Sequence, residues 1–97
     1  MLTNLYRTRH QSVPIKWNPD LAEDAQKWAN KLAKEDAGLK HQRAMKDGEN
    51  LAEVPTSDKA VVMAIDTWYD EVNKYSFENG TFSPETGHFT QVVLYFV

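Results

Sequence analysis

The run that closes the chain, Gly87-His88-Phe89-Thr90-Gln91-Val92-Val93-Leu94-Tyr95-Phe96-Val97, constrains the fold more than any other segment. Its β-branched and aromatic residues follow a Gly/Ser/Pro/Asn-rich loop from Asn79 to Glu85, and together these features predict a strand. Alternation then puts His88, Thr90 and Val92 on one face and Phe89, Gln91 and Val93 on the other. A strand that stops on Tyr-Phe-Val without a turn implies missing sequence. It also leaves an unpaired edge, through which the chain is expected to self-associate.

The segments before it read as helices. Residues 3 to 11 form the end of one helix, broken at Val13-Pro14 because proline disfavours helical geometry in the residue before it. Asn18-Pro19 starts the next: Asn caps exposed amides, Pro tolerates the first helical position, and Asp20, Glu23 and Asp24 suit the positive end of the dipole. Leu21, Ala25, Trp28 and Leu32 then recur at helical spacing until Gly38 offers a stop. A further helix begins near Ser57-Asp58 and carries Val61, Ile65, Trp68, Val72 and Tyr75 as its seam. At 100° per residue Glu71 lies on the rim of that seam, while Asp70 and Asn73 point away. Asn79-Gly80-Thr81 matches a glycosylation sequon, but Asn-Gly reads first as a turn, since both residues accept positive φ. Helices flanking a small sheet give an α/β architecture, and 97 residues fit one domain, 1–97.

A domain of this size buries only about two-thirds of the surface of its unfolded chain, so its stability margin is small. Eleven basic and 14 acidic residues are interspersed, for a formal charge of -3, with no Lys/Arg run to follow a phosphate backbone. Nucleic acid is therefore not an expected partner. There is no cysteine, which removes disulfides and thiolate metal sites from consideration and suits a reducing compartment. No apolar stretch is long enough for a signal h-region or a membrane span, and Leu2 follows Met1 where myristoylation requires glycine. These features favour a cytosolic location, or an extracellular one if the N-terminus is incomplete.

Four titratable residues stand in unusual local settings: His41 after a helix stop, Glu49 within Gly48-Glu49-Asn50-Leu51-Ala52, Glu71 on a helix rim, and His88 at the strand entrance. Two imidazoles and two carboxylates can hold a divalent ion or pair as acid and base. Each also has an ordinary role open to it. His41 can be a surface residue, His88 a satisfied strand-edge histidine, Glu49 a turn residue, and Glu71 a partner for Lys74 three residues on. His10 is assigned to the first helix without a site role, and Trp28, Trp68 and Tyr75 to the core or a cavity wall.

The string Gly87-His88-Phe89-Thr90-Gln91-Val92-Val93 resembles the signature of the CAP superfamily, named for cysteine-rich secretory proteins, antigen 5 and plant pathogenesis-related proteins. In matching order stand Asn4-Leu5-Tyr6-Arg7-Thr8-Arg9-His10, Trp17-Asn18-Pro19-Asp20-Leu21-Ala22, Ala25-Gln26-Lys27-Trp28-Ala29, His41, Gly48-Glu49-Asn50-Leu51-Ala52 and Trp68-Tyr69-Asp70-Glu71. With no cysteine and with Trp68 through Tyr75 and Phe82, the chain is most similar to the Golgi-associated plant pathogenesis-related branch.

The resemblance implies an αβα sandwich, here lacking its last hairpin and buried strand, with a central cleft lined by His41, Glu49, Glu71 and His88. It implies zinc on the two histidines, as in several members, and a lipid, sterol or protein ligand. The leading reading is a binding domain with His41 and His88 on the metal and Glu49 and Glu71 in support. The alternatives are a metal-assisted hydrolase, in which one of these glutamates activates water, and a non-functional or regulatory truncated fragment that acts, if at all, through its edge strand. Three positions depart from the family pattern: Thr3 replaces a histidine, Gln42 the common serine after His41, and Leu94 a tryptophan.

Overall fold

The computed structural model describes residues 2–42, 48–80 and 82–93. In chain order these residues form α1 (Leu2–Arg9), α2 (Pro19–Glu35), α3 (Ala60–Asp70), a 3-10 turn at Glu71–Lys74, and α4 (Gly87–Val93). No strand occurs among the described residues. The α/β sandwich expectation is therefore overturned, and the segment responsible is the one read as a terminal strand. Residues 87–93 are helical, so they do not present the bare sheet edge expected there. Leu94 to Val97 lie outside the described residues.

A seven-residue helix has no stability of its own in water, so α4 depends on tertiary partners. Its ends are met from outside. At the N-terminus the Phe89 amide, which has no partner within the helix, donates to Glu71 Oε1 at 3.0 Å. At the C-terminus Arg7 Nη1 donates to the carbonyl of Val92 at 3.0 Å, and the Ser12 hydroxyl donates to that of Val93. A carboxylate at the positive end and a guanidinium at the negative end also match the helix dipole. Phe89, Thr90, Val92 and Val93 are all buried, which is the i, i+1, i+3, i+4 spacing of one helical face. The sequence pattern fits alternation and helical spacing alike over so short a run, and the caps decide between them.

The core forms where α1, α3 and the 3-10 turn close on α4. Phe89 is fully buried, with Tyr75, Tyr69 and Phe77 rings 5.1, 5.8 and 6.2 Å away, centroid to centroid. Tyr6 stacks on Tyr69 at 3.8 Å and donates its hydroxyl to Asp66, joining α1 to α3. His10 belongs to this cluster, as its Nε2 lies 2.8 Å from the Tyr69 hydroxyl. Arg7, only 2% exposed, is the buried cation that ties α1 to the rest, with Nε donating to Val13 O at 2.7 Å.

The helix starts follow local chemistry. Asn18 Oδ1 accepts from the amides of Asp20 and Leu21, with Pro19 at the first position as expected. The stop comes earlier than Gly38: Asp36 takes the left-handed conformation at φ 49°, and its amide donates to Leu32 O. The start of α3 falls at Ala60, with Ser57 Oγ accepting from the Lys59 amide just before it. Gly80, at φ 61°, makes the expected turn with Asn79, and its amide donates to Ser76 O. Among the described residues α2 packs on no other helix. Its apolar stripe rests on the following loop, where Trp28 Nε1 donates to Lys40 O at 3.0 Å.

Candidate functional site

The four titratable residues singled out in the sequence come together as two imidazole–carboxylate pairs. His41 Nδ1 lies 2.6 Å from Glu49 Oε1, and His88 Nδ1 lies 2.7 Å from Glu71 Oε2. An ionised carboxylate only accepts, so in each pair Nδ1 is the donor, and a neutral ring held this way carries its lone pair on Nε2. His41, Glu49 and His88 then line one cavity of about 430 Å³, with Asn50, Phe82, Pro84, Gly87 and Gln91. Glu71 stands behind His88, outside that lining.

Each side chain has a local reason for its position. His88 occupies the first turn of α4, which buries Phe89 and leaves His88 on the helix's more open side, and its ring stacks on Trp68 at 6.1 Å. Glu71 sits where α3 tightens into the 3-10 turn, half-buried, with Asp70 and Asn73 exposed on either side, as the helical wheel predicts. Its other oxygen takes the Phe89 amide, so one residue caps α4 and orients His88.

Glu49 is served by a different set. Its Oε1 accepts from the Gln42 amide at 3.2 Å as well as from His41, and its Oε2 accepts from Gln42 Nε2 at 3.0 Å. Burial pulls the Glu49 carboxyl upward, but the bonds from the Gln42 side chain, His41 and the Gln42 backbone outweigh it and hold the group below its ordinary value. Next along the chain, Asn50 Nδ2 donates to the carbonyl of His88 at 3.2 Å. Adjacent residues thus tend both histidines: Glu49 orients the first, and Asn50 ties the second to the same loop. Trp68 Nε1 anchors that loop again through Leu51 O at 3.1 Å. Gly48 is required by close approach, because a Cβ there would lie 2.1 Å from Gln91 Nε2.

The roles of Gln42 and Asn50 were not legible in the residue pattern, since uncharged amides carry no titration signal. What marked Asn50 was its place within Gly48-Glu49-Asn50, and Gln42 its place beside His41. Among the described residues, no group of three or more His, Asp or Glu side chains converges as a metal cage. The donors on offer are two imidazoles, each fixed through Nδ1 by a carboxylate. That is the arrangement in which metal-binding histidines are usually held, and in donor chemistry it fits zinc.

The fold and site are those of a small helical domain with one pocket walled by two carboxylate-oriented histidines. The chain belongs to the cysteine-rich secretory protein (CAP) family, whose model matches residues 1–94. It is 37% identical over 86 residues to human cysteine-rich secretory protein 3, covering 86% of this chain and 35% of that protein. To human Golgi-associated plant pathogenesis-related protein 1 it is 36% identical over 93 residues, covering 93% and 59%. With pathogenesis-related protein 1 of Arabidopsis thaliana the identity is 39% over 80 residues, covering 82% and 48%. The chain spans between about a third and three-fifths of the length of these relatives. No solved structure matches it significantly. No helix among the described residues is long and apolar enough to cross a membrane.

Proposed function

We propose that this chain is a CAP-family binding domain whose pocket takes a divalent cation, zinc by its donor chemistry, on Nε2 of His41 and His88. Glu49 and Glu71 act as orienting carboxylates. Phe82 and Pro84 supply an apolar wall against which a lipid, sterol or protein segment would lie. A cavity of about 430 Å³ is in the size range of small-molecule sites.

One observation carries this reading over the hydrolase alternative. All four carboxylate oxygens are already engaged: Glu49 by His41 and Gln42, Glu71 by His88 and the Phe89 amide. A general base must reach the proton it takes, and here both carboxylates are turned toward imidazole and amide donors, with Glu71 outside the pocket lining, which supports orienting roles for them. The imidazole Nε2 atoms are the nitrogen donors that the pocket offers a divalent cation. Bound there, the cation would supply Lewis acidity, with its remaining positions left to water or ligand.

Isothermal titration with zinc tests the proposal. Wild type is expected to give a saturable heat that falls away in both His41→Ala and His88→Ala. Equal heats in all three proteins would remove the metal site.

A further inference from the structure

Gln42 is the residue on which the geometry around Glu49 converges. Its backbone amide reaches Oε1 at 3.2 Å and its side-chain Nε2 reaches Oε2 at 3.0 Å, so the carboxylate is gripped at both oxygens by one residue. His41 has no comparable anchor of its own. Its side chain is 63% exposed, whereas that of Glu49 is 13% exposed, and among the described residues its one hydrogen-bond partner is Glu49 Oε1. An exposed imidazole with one hydrogen bond takes its orientation from that partner. Were Glu49 free to turn, the ring would turn with it.

We propose that Gln42 is a positioning residue: it fixes the plane of the Glu49 carboxylate, and through it holds His41 as the Nδ1–H tautomer with Nε2 directed to the pocket. The inference rests on the proposed role of His41 as a ligand, but its first consequence can be read without any metal. His88 provides an internal comparison, because its Nδ1 partner is Glu71, whose other bond comes from a helix amide that Gln42 does not touch. A change at Gln42 should therefore be felt by one histidine and not by the other. A merely structural role would not be rescued by a different donor placed on the same carboxylate.

Gln42→Met is the informative substitution. It keeps approximate side-chain volume and the backbone amide, and removes only the side-chain donor to Oε2. At about pH 8, where imidazoles are neutral, the ¹⁵N shifts of the ring nitrogens report the tautomer directly. In wild type His41 is expected to be predominantly Nδ1–H. In Gln42→Met its two nitrogens should move toward the averaged shifts of a free imidazole while those of His88 stay in place. Gln42→Arg restores a donor to the same carboxylate and should restore the wild-type His41 shifts. Zinc affinity, measured on the same proteins, should drop about tenfold in Gln42→Met, the lower end for loss of such a supporting bond. His41 shifts that are the same in Gln42→Met and wild type would overturn the proposal. If those shifts respond as expected while neither protein binds zinc, the positioning role stands and it is the metal reading that falls.

Discussion

Replacing Glu71 by alanine separates the helical reading of residues 87–93 from an extended one. The side chain makes two bonds that an Ala cannot: Oε1 to the Phe89 amide at 3.0 Å and Oε2 to His88 Nδ1 at 2.7 Å. The first satisfies a donor left open by the helix geometry, and loss of such a cap costs about 1 kcal/mol. The second joins groups that are 37% and 21% exposed, so solvent screening reduces it to about 0.5–1 kcal/mol. The sum is about 2 kcal/mol, which for a chain of this length lowers the melting temperature by about 8–16 °C. Thermal unfolding followed by circular dichroism at neutral pH measures it. A double-mutant cycle with His88→Ala apportions the loss, since only the ring-dependent part should vanish when the imidazole is already gone. Amide exchange at Phe89 should also quicken in Glu71→Ala. A variant melting within about 2 °C of wild type, with Phe89 exchange unaltered, would refute the cap and with it the reason given for α4 being a helix.

Three further outcomes are expected. Phe89→Ala empties the fully buried centre of the aromatic cluster, and the usual cost of about 3–5 kcal/mol should consume much of the stability of so small a domain, read as an early urea midpoint. Arg7→Met keeps the volume of the buried side chain but leaves the buried Val92 carbonyl without its donor, so equilibrium unfolding should show a loss of at least about 1–3 kcal/mol. The Glu49 carboxyl, held below its ordinary value, stabilises the fold at pH above about 4.3 and loses that contribution as pH falls through its lowered value. Glu49→Gln should therefore be less stable than wild type at neutral pH, with the two melting curves converging in acid; a gap that widens on acidification would contradict the assignment.

Much of the helical skeleton was legible because its signals are local. Asn18-Pro19 carries its own cap, and the four-three-four-three steps from Val61 to Tyr75 place Glu71 inward with Asp70 and Asn73 outward before any partner is known. The seam is imperfect at its start: Val61 is 72% exposed, and the α3 residues packed against the core are Trp68 and Tyr69 at its far end. Residues 87–93 misled because seven residues of mixed β-branched and aromatic character satisfy both periods. What selects the helix lies 16 residues upstream at Glu71, and about 80 residues upstream at Arg7 and Ser12. No reading of the segment itself contains that information.

The site shows the same division between local and distant causes. Residue types marked His41, Glu49, Glu71 and His88 as chemically capable, while spacing gave no reason for them to meet; a long hydrogen bond path supplies it. Asn50 holds the His88 carbonyl, Glu71 holds the His88 ring and the Phe89 amide, and Phe89 is locked in the aromatic core by Tyr69, Tyr75 and His10. Glu49, one residue from Asn50, completes the path to His41. The pocket's second imidazole is therefore wired to the core directly, and its first, among the described residues, through Glu49 and Gln42 of a loop. Loosening the core at Phe89 should displace His88 before His41, whereas loosening the loop at Gln42 should displace His41 alone. The two histidines would then contribute unequally to any ligand they share: His88 as the fixed donor, and His41 as the donor whose placement can be tuned by a single neighbouring amide.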